Sequence, residues 1–250
     1  MSDLVDVIEE DMALSARILR IANSAYYGVP RKIDNLKLAL VILGMDEIAN
    51  MVMTISVLRI FPASRNEDIF DISSFWRHSA ATAEITMGLY EGLRLPRPSS
   101  AYAAGLLHDV GKLILDQYFR KYFIACMKKA VKDDIMLAKA ELQVLGVDHG
   151  HIGSWLTQRW NLPEEICKAI AQHHLRPASS DAFSLAGVID WADRLFYLME
   201  DTPASVVAKI LNADPDWQEW QDGRVKNTDY FVNILFERVN RSLRLIQIIR

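Results

Sequence analysis

The sequence predicts an all-α protein, and three observations lead to this prediction. Apolar residues recur at steps of three and four, as in "VDVIEEDMALSARILRIAN", which is the period of an amphipathic helix. No stretch alternates apolar and polar residues between Asn-Gly or Asp-Gly turns, so no strand is expected. With 250 residues, of which 51% are hydrophobic, the chain is long enough to bury a substantial core. We therefore expect a multi-helix bundle.

Breaker residues divide the front half into successive helices. The segment "YYGVPRKIDN" (26–35) separates the first helical pattern from "LKLALVILGMDEIANMVMTISVLRIF". A polar link, "FPASRNED" (61–68), follows, and "LRLPRPSS" (93–100) closes one helix and caps the next. From that cap, a helix is expected to continue through "GLLHDVGK" (105–112).

The back half is divided in the same way. "NLPEEICKAIAQHH" is expected to start from Asn161 as N-cap, with a proline and two glutamates in its first turn. "LRPASSDAF" ends that helix, and "SLAGVIDWADRLFYLME" forms the next. The last segment, "YFVNILFERVNRSLRLIQII", closes the core or mediates homodimerisation, and the sequence leaves both open. We divide the single unit 1–250 into an N-terminal helical subdomain (1–68), a histidine-bearing bundle (69–200) and a C-terminal helical extension (201–250).

Charge and composition exclude several classes of partner. The net charge of −4 and the pI near 5.9 argue against a nucleic-acid partner. Charged residues interrupt the apolar stretches before the about 20 residues that a bilayer span needs, and the acidic start "MSDLVDVIEEDM" is unlike a signal peptide. We expect a cytoplasmic protein without a membrane partner. Cys126 and Cys167 are too few for a disulfide framework and are expected to be buried, reduced thiols.

A constellation of histidines and aspartates suggests a metal site. All six histidines lie between positions 78 and 174, and they include a His-Asp pair, His108 and Asp109, in an apolar run. Adjacent helical residues point about 100° apart, so this pair can address two sides of one ion, or one ion and its neighbour. Imidazole and carboxylate suit zinc, iron, manganese or nickel, and a shared metal satisfies several buried ionisable groups together. The alternative is a hydrogen-bonded polar core. For His151, after a glycine in a turn, the favoured interpretation is a core or surface residue with a hydrogen-bond partner.

Several separated motifs carry a family resemblance. The order H…HD…H…HH…D resembles the HD superfamily of metal-dependent phosphohydrolases and is similar to its HD-GYP branch. The segments "DMALSARILRIANSAYYGVPRKIDNLKLALVILGMDEI", "FWRHS", "ELQVLGVDHGHIGSWLTQRWNLPEEICKAIAQHH" and "GVIDWADRL" resemble the HDOD family, the HD-related output domains of bacterial signalling proteins. This resemblance extends to about residue 200. No GYP triad follows in "HHLRPASSDAFSLAG", so the similarity to the cyclic di-GMP pocket of HD-GYP enzymes ends there.

The resemblance implies one or two divalent transition-metal ions, without distinguishing iron, manganese, zinc and nickel. One ion is implied at His78, His108, Asp109 and Asp193. A second is implied at Asp109, as the bridge, with His149, His173 and His174. His149 is preferred to His151 because the related branch places its histidine four residues before a glycine, here Gly153. Lys112, one helical turn after Asp109, is implied to face the same pocket and contact a phosphate or the bridging hydroxide, which makes Asp109 and Lys112 the catalytic pair.

Three functional interpretations follow from the resemblance. The first is a bacterial signal-transduction output module, in which the site holds metal or a nucleotide and its occupancy changes how the front helices meet a signalling partner protein. The alternative is an active metal-dependent phosphohydrolase acting on a phosphodiester or nucleotide. A second alternative is a metal-free interaction scaffold in which the cluster is a hydrogen-bonded core. Whether the chain is an enzyme stays open at this point.

Overall fold

The computed structural model describes residues 2–24, 27–61, 70–175 and 182–249. These residues form fifteen helices and no strand, which confirms the all-α prediction. They divide into two compact units. The predicted boundary between residues 68 and 69 lies outside the described residues.

The first unit comprises residues 1–62 and 240–250. Its helices are α1 (Ser2–Glu10), α2 (Met12–Ala22), α3 (Leu36–Leu43), α4 (Met45–Ile60) and the end of the last helix of the chain. α2 packs against α1, α3 and α4, and the core between them contains Ile18, Ile21 and Met51, all fully buried. The apolar positions of the three- and four-residue period thus face one another, as an amphipathic helix requires.

The second unit, residues 63–239, contains all six histidines. Its helices are α5 (Ile72–Gly92), α6 (Ala101–Leu107), α7 (Val110–Tyr118), α8 (Arg120–Asp133), α9 (Leu137–Leu145), α10 (His149–Arg159), α11 (Glu164–Gln172), α12 (Leu185–Glu200), α13 (Ala204–Ala213), α14 (Pro215–Gln221) and the first half of α15 (Thr228–Ile249). α5 packs against α6 and α12, while α10 packs against α7 and α11. α11 also contacts α6 and α12, so these six helices share one core.

Side-chain caps fix where two helices of this core begin. Asp71 accepts hydrogen bonds from the backbone N–H groups of Ser73 and Ser74 at 2.8 and 3.0 Å, which starts α5. Asp148 accepts from the N–H of His151 at 2.9 Å and starts α10. The segment that the sequence placed in a turn, residues 149–151, is therefore the first turn of a helix.

The start of α11 differs from the prediction. α11 begins at Glu164 with Pro163 at the N-cap position, whereas Asn161 has a φ of +55°. That angle lies in the left-handed region, which asparagine tolerates better than most residues because its short polar side chain bonds locally. The expected N-cap at Asn161 was wrong, since this residue turns the chain between α10 and α11.

The length and hydropathy of the helices can be compared with what a membrane span requires. Among the described residues, no single helix is long and apolar enough to cross a bilayer. α3 and α4 reach both criteria only as a pair, by length and composition, and that pair is bent by 117°.

Candidate metal centre

His108 and Asp109 lie at a break between two helices. The sequence predicts one helix through residues 105–112, but α6 ends at Leu107 and α7 begins at Val110. Asp109 has φ −100° and ψ 4°, outside the helical region, and both side chains are buried. The two side chains therefore do not have the 100° separation of neighbours on a regular helix, and both reach the core between α5 and α10.

A close contact of two backbones sets the position of α7. A Cβ atom at Gly111 would lie 1.9 Å from the carbonyl oxygen of His149 and 2.8 Å from the backbone nitrogen of Gly153. Only a residue without a side chain permits this approach. The glycine of "HDVGK" therefore brings the start of α7, with Asp109, against the start of α10, with His149.

One oxygen of Asp109 faces the first of two groups of side chains. We call His78, His108, Asp109 and Asp193 the first group. Asp109 Oδ2 lies 3.3 Å from His78 Nε2 and 3.4 Å from His108 Nε2, and these two nitrogen atoms are 3.1 Å apart. Asp193 Oδ1, from α12, lies 3.1 Å from His78 Nε2 and 3.8 Å from His108 Nε2. Four side chains from three distant parts of the sequence thus converge.

The other oxygen of Asp109 faces the second group. We give this name to Asp109, His149, His173 and His174. Asp109 Oδ1 lies 3.0 Å from His149 Nε2 and 3.6 Å from His173 Nε2. His174 Nε2 lies 2.8 Å from His149 Nε2. His173 and His174 follow the end of α11, so the turn after the helix delivers both rings to the centre.

The orientation of three histidines is set by partners outside the centre. The Nδ1 atoms lie 2.8 Å from the Gly105 carbonyl for His108, 2.7 Å from the Ile170 carbonyl for His173, and 2.6 Å from Glu141 Oε2 for His149. A carbonyl or carboxylate oxygen only accepts hydrogen bonds, so each Nδ1–H must donate. When such a ring is neutral, the lone pair of its Nε2 points into the centre, which is how second partners orient metal-ligating histidines.

The atoms that meet in the centre are therefore mostly acceptors. Among the described residues, Asp109 Oδ1, His173 Nε2 and Asp193 Oδ1 are buried without a hydrogen-bond partner. Acceptors that face each other in a buried site require a cation, which is either a set of protons or a metal ion. For metal–ligand bonds of about 2.0–2.2 Å, neighbouring ligand atoms are about 3.0–3.5 Å apart in tetrahedral or octahedral geometry. The observed separations and the donor set fit divalent metal ions in both groups.

The electrostatics of the centre differ between residues. Burial raises the pKa of Asp109, but His108 and Lys112 outweigh it and hold that pKa well below its ordinary value. Burial, with His173 and His149 beside it, lowers the pKa of His174 to about 2. Burial also lowers the pKa of His173. These groups are thus in the unprotonated forms that bind a metal.

A pocket of about 240 Å³ adjoins the first group. His78, Asp109 and Lys112 line it. Lys112 Nζ donates to Asp109 Oδ2 at 2.5 Å. Burial lowers the pKa of Lys112, but the nearby carboxylate of Asp109 outweighs burial and raises that pKa above its ordinary value. Tyr197 also lines the pocket, with its ring centroid 5.3 Å from that of His78. The pocket is thus lined by side chains of the first group, by the ammonium group of Lys112 and by the ring of Tyr197.

Residues outside the metal-site motif complete the comparison between the sequence predictions and the structure. His151 was not predicted to be a metal ligand, and it lies apart from the centre. Its Nδ1 is 2.8 Å from Asp148 Oδ1, and its side chain is 48% exposed. Glu141, Arg77 and Tyr197 were not singled out. In the structure Glu141 shares the buried face of α9 with Ala138 and is fully buried, a position that its acidic side chain does not indicate in the sequence.

Three kinds of comparison relate the chain to known proteins. The sequence model of the HDOD domain matches residues 1–176, a range that includes His78 to His174 and ends before Asp193. An uncharacterised protein of Treponema pallidum (strain Nichols) is 23% identical over 214 residues, which are 84% of this chain and 41% of that protein. The chain thus spans about two fifths of the length of this curated relative.

Solved structures share the fold. An HDOD domain protein of unknown function from Geobacter sulfurreducens matches with a TM-score of 0.77 and 24% identity, covering 100% of this chain and 86% of that one. A candidate phosphohydrolase from Shewanella amazonensis SB2B matches with a TM-score of 0.81 and 23% identity, over 100% and 87%. A candidate signal transduction protein from Marinobacter aquaeolei VT8 has a TM-score of 0.73 and 23% identity, over 100% and 55%. At these identities the likeness is one of fold.

Proposed function

Because the chain belongs to the HDOD family, we propose that it is a bacterial, cytoplasmic signal-transduction output module built around a two-ion metal centre. The observation that carries the proposal is the arrangement of Asp109, whose two oxygens face two different groups of imidazoles. A carboxylate can bridge two ions in this way, whereas an imidazole cannot. The first group and the second group would each hold one ion.

The distribution of the ligands supports a signalling role. The centre draws on α5, the α6–α7 break, α10, the turn after α11, and α12. An ion that binds one arrangement of these helices better than another shifts the population towards it. Occupancy of the centre would thereby change the surface that a signalling partner protein contacts.

The test is a metal analysis of protein purified without chelator. We expect between one and two equivalents of transition metal in the wild type and a large loss in Asp109→Ala, since this residue faces both groups. A matched control is His151→Gln, which removes a histidine outside the centre. Less than one equivalent in the wild type would overturn the proposal and leave the metal-free scaffold, in which protons replace the ions.

A second candidate is a metal-dependent phosphohydrolase, and the pocket beside the first group favours it. When bound, two divalent ions activate water and stabilise charge on a phosphoryl group. Lys112 would contact the phosphoryl oxygens from the edge of the pocket, where its side chain is 14% exposed. Arg77 also lines the pocket and is exposed, so it would meet an anionic substrate at the entrance.

The pocket residues would also hold the leaving group. Tyr197 is an exposed residue at the edge of the pocket, and partial desolvation there raises its pKa to about 12, so its phenol stays protonated and can donate to a phosphate ester oxygen. Phe196, whose ring meets His78 edge-on with the centroids 4.7 Å apart, supplies an apolar wall. The substrate class would be a phosphodiester or nucleotide of which one phosphoryl group enters this space.

Turnover separates the two candidates. Metal-loaded protein is assayed against phosphodiesters, cyclic dinucleotides and nucleotides, with Asp109→Ala and Lys112→Met alongside. Hydrolysis that is abolished by each substitution alone supports the phosphohydrolase. Hydrolysis that survives Asp109→Ala comes from a site other than the proposed metal centre. If metal-loaded protein turns over no substrate of the panel, the phosphohydrolase is excluded for these classes and the output module stands.

A further inference from the structure

Glu141 is a buried carboxylate that the motif does not include. It lies on α9, which packs against α8 and α10, and it has no exposed surface. In the part of the chain that the structure describes, it forms no ion pair with a lysine or an arginine. Its one ion-pair partner there is the imidazole of His149. A carboxylate in such a place is costly unless positive charge compensates it.

A single oxygen of Glu141 accepts two hydrogen bonds from one residue. Oε2 accepts from the backbone N–H of His149 at 2.8 Å and from its Nδ1–H at 2.6 Å. The first bond also satisfies an N–H group at the start of α10 that no helix carbonyl can reach. The two bonds together fix the ring and the start of the helix, so Nε2 of His149 must face Asp109, 3.0 Å away.

The other histidines have weaker partners. His108 and His173 donate to neutral backbone carbonyls, and His78 Nδ1 makes no hydrogen bond within the described residues. Only His149 has a carboxylate behind it among these four. A carboxylate makes the opposite nitrogen of an imidazole a stronger ligand than a carbonyl does, because positive charge that spreads over the ring is stabilised.

We propose that Glu141 is a positioning residue that orients His149 and makes the second group the tighter of the two metal positions. The inference rests on the proposed metal centre and deepens it, because it ranks the affinities of two positions that each have four side chains. Positive charge on a metal-bound His149 would in turn compensate the buried Glu141. The first group, with Asp193 partly exposed and the pocket beside it, would be the position that exchanges its ion.

The experiment titrates Zn²⁺ into chelator-treated protein in competition with a chromophoric chelator. For the wild type we expect two binding steps of different affinity. Glu141→Gln keeps an oxygen that can accept from His149 but removes the charge, and Glu141→Ala removes both. The tighter step should weaken about 10-fold in Glu141→Gln and about 100-fold in Glu141→Ala, the range of such partners, while the weaker step is unchanged.

Asp148→Asn is the matched control. Asp148 is also buried and also bonds a histidine Nδ1 and a backbone N–H, but its partner is His151, outside the centre. Asparagine is an equally good N-cap, so both Zn²⁺ steps should keep the wild-type affinity. A Glu141→Ala protein that binds Zn²⁺ like the wild type would overturn the inference, and so would an equal loss in Asp148→Asn.

A second measurement does not depend on metal binding or on the folding of a variant. In wild-type protein with ¹⁵N-labelled histidine, the chemical shifts of His149 should be those of the Nδ1-protonated ring before and after chelation. The opposite tautomer would overturn the role of Glu141 even if every substitution at this position unfolds. Absence of bound Zn²⁺ in the wild type would instead refute the metal centre, so the two failures are distinguishable.

Discussion

Replacing Gly111 by alanine tests whether backbone contact between α7 and α10 assembles the centre. The added Cβ would lie 1.9 Å from the His149 carbonyl oxygen, and ordinary contact begins at 3.4 Å, so the two backbones must separate by about 1.5 Å. Overpacking of this kind costs about 1–3 kcal/mol. We expect the upper end, about 3 kcal/mol, because the obstructing atoms are backbone and cannot rotate away.

The loss of stability can be measured in the unit that contains Gly111. All six tryptophans lie in the second unit, so their fluorescence during urea denaturation reports the unit that contains Gly111. With a urea m value of about 3 kcal/mol/M, the expected loss lowers the midpoint by about 1 M. The displacement of the two backbones should also separate His149 from Asp109 and reduce the metal content of the Gly111→Ala protein below one equivalent.

Gly146→Ala is the control for this substitution. Gly146 has a φ of +76° but open space around its missing Cβ, so alanine there costs backbone strain of about 1–2 kcal/mol without a clash at the centre. This variant should lose stability and keep its metal. A Gly111→Ala protein with wild-type midpoint and metal content would refute the reasoning.

Two further predictions concern protons and the choice of histidine. Burial lowers the pKa of His108 in metal-free protein, but Asp109 and Asp193 outweigh it and raise that pKa to about 10; Zn²⁺ affinity should therefore rise with pH near neutrality as the ion displaces this proton. Because the folded pKa exceeds the unfolded value of 6.5, metal-free protein keeps this stabilisation below pH 6.5 and loses it towards pH 10. Thermal unfolding of chelated protein across this range checks the sign, and a melting temperature that rises with pH contradicts it. His149→Gln should lower the metal content by about one equivalent, whereas elemental analysis of His151→Gln should match the wild type; equal losses would contradict the assignment.

The helical period predicted the fold class because it depends only on local spacing. The break at His108 and Asp109 could not be read in this way, since it depends on the contact of Gly111 with His149 across the core. The local pattern of "GLLHDVGK" predicts a continuous helix, whereas α6 ends at Leu107 and α7, which packs against α10, begins at Val110.

The candidate site likewise contains features that local sequence spacing does not predict. The resemblance implied a set of histidines and aspartates, and the structure brings those side chains together, while their role as ligands stays a prediction. Glu141 was missed because an acid on an amphipathic helix is usually solvated, and α9 exposes Leu142 while it buries the acid. Asn161 was assigned to a cap because asparagine serves both as an N-cap and in left-handed turns, and the sequence does not separate the two uses.

The proposed ligands extend from His78 on α5 to Asp193 on α12, and metal binding across so long a separation would have a kinetic consequence. An ion held by residues so far apart along the chain acts like a cross-link, because closing a long loop costs entropy in the unfolded protein. Because the centre needs five separate elements to dock, we expect it to form late in folding. Bound metal would then slow unfolding and leave the rate of folding nearly unchanged.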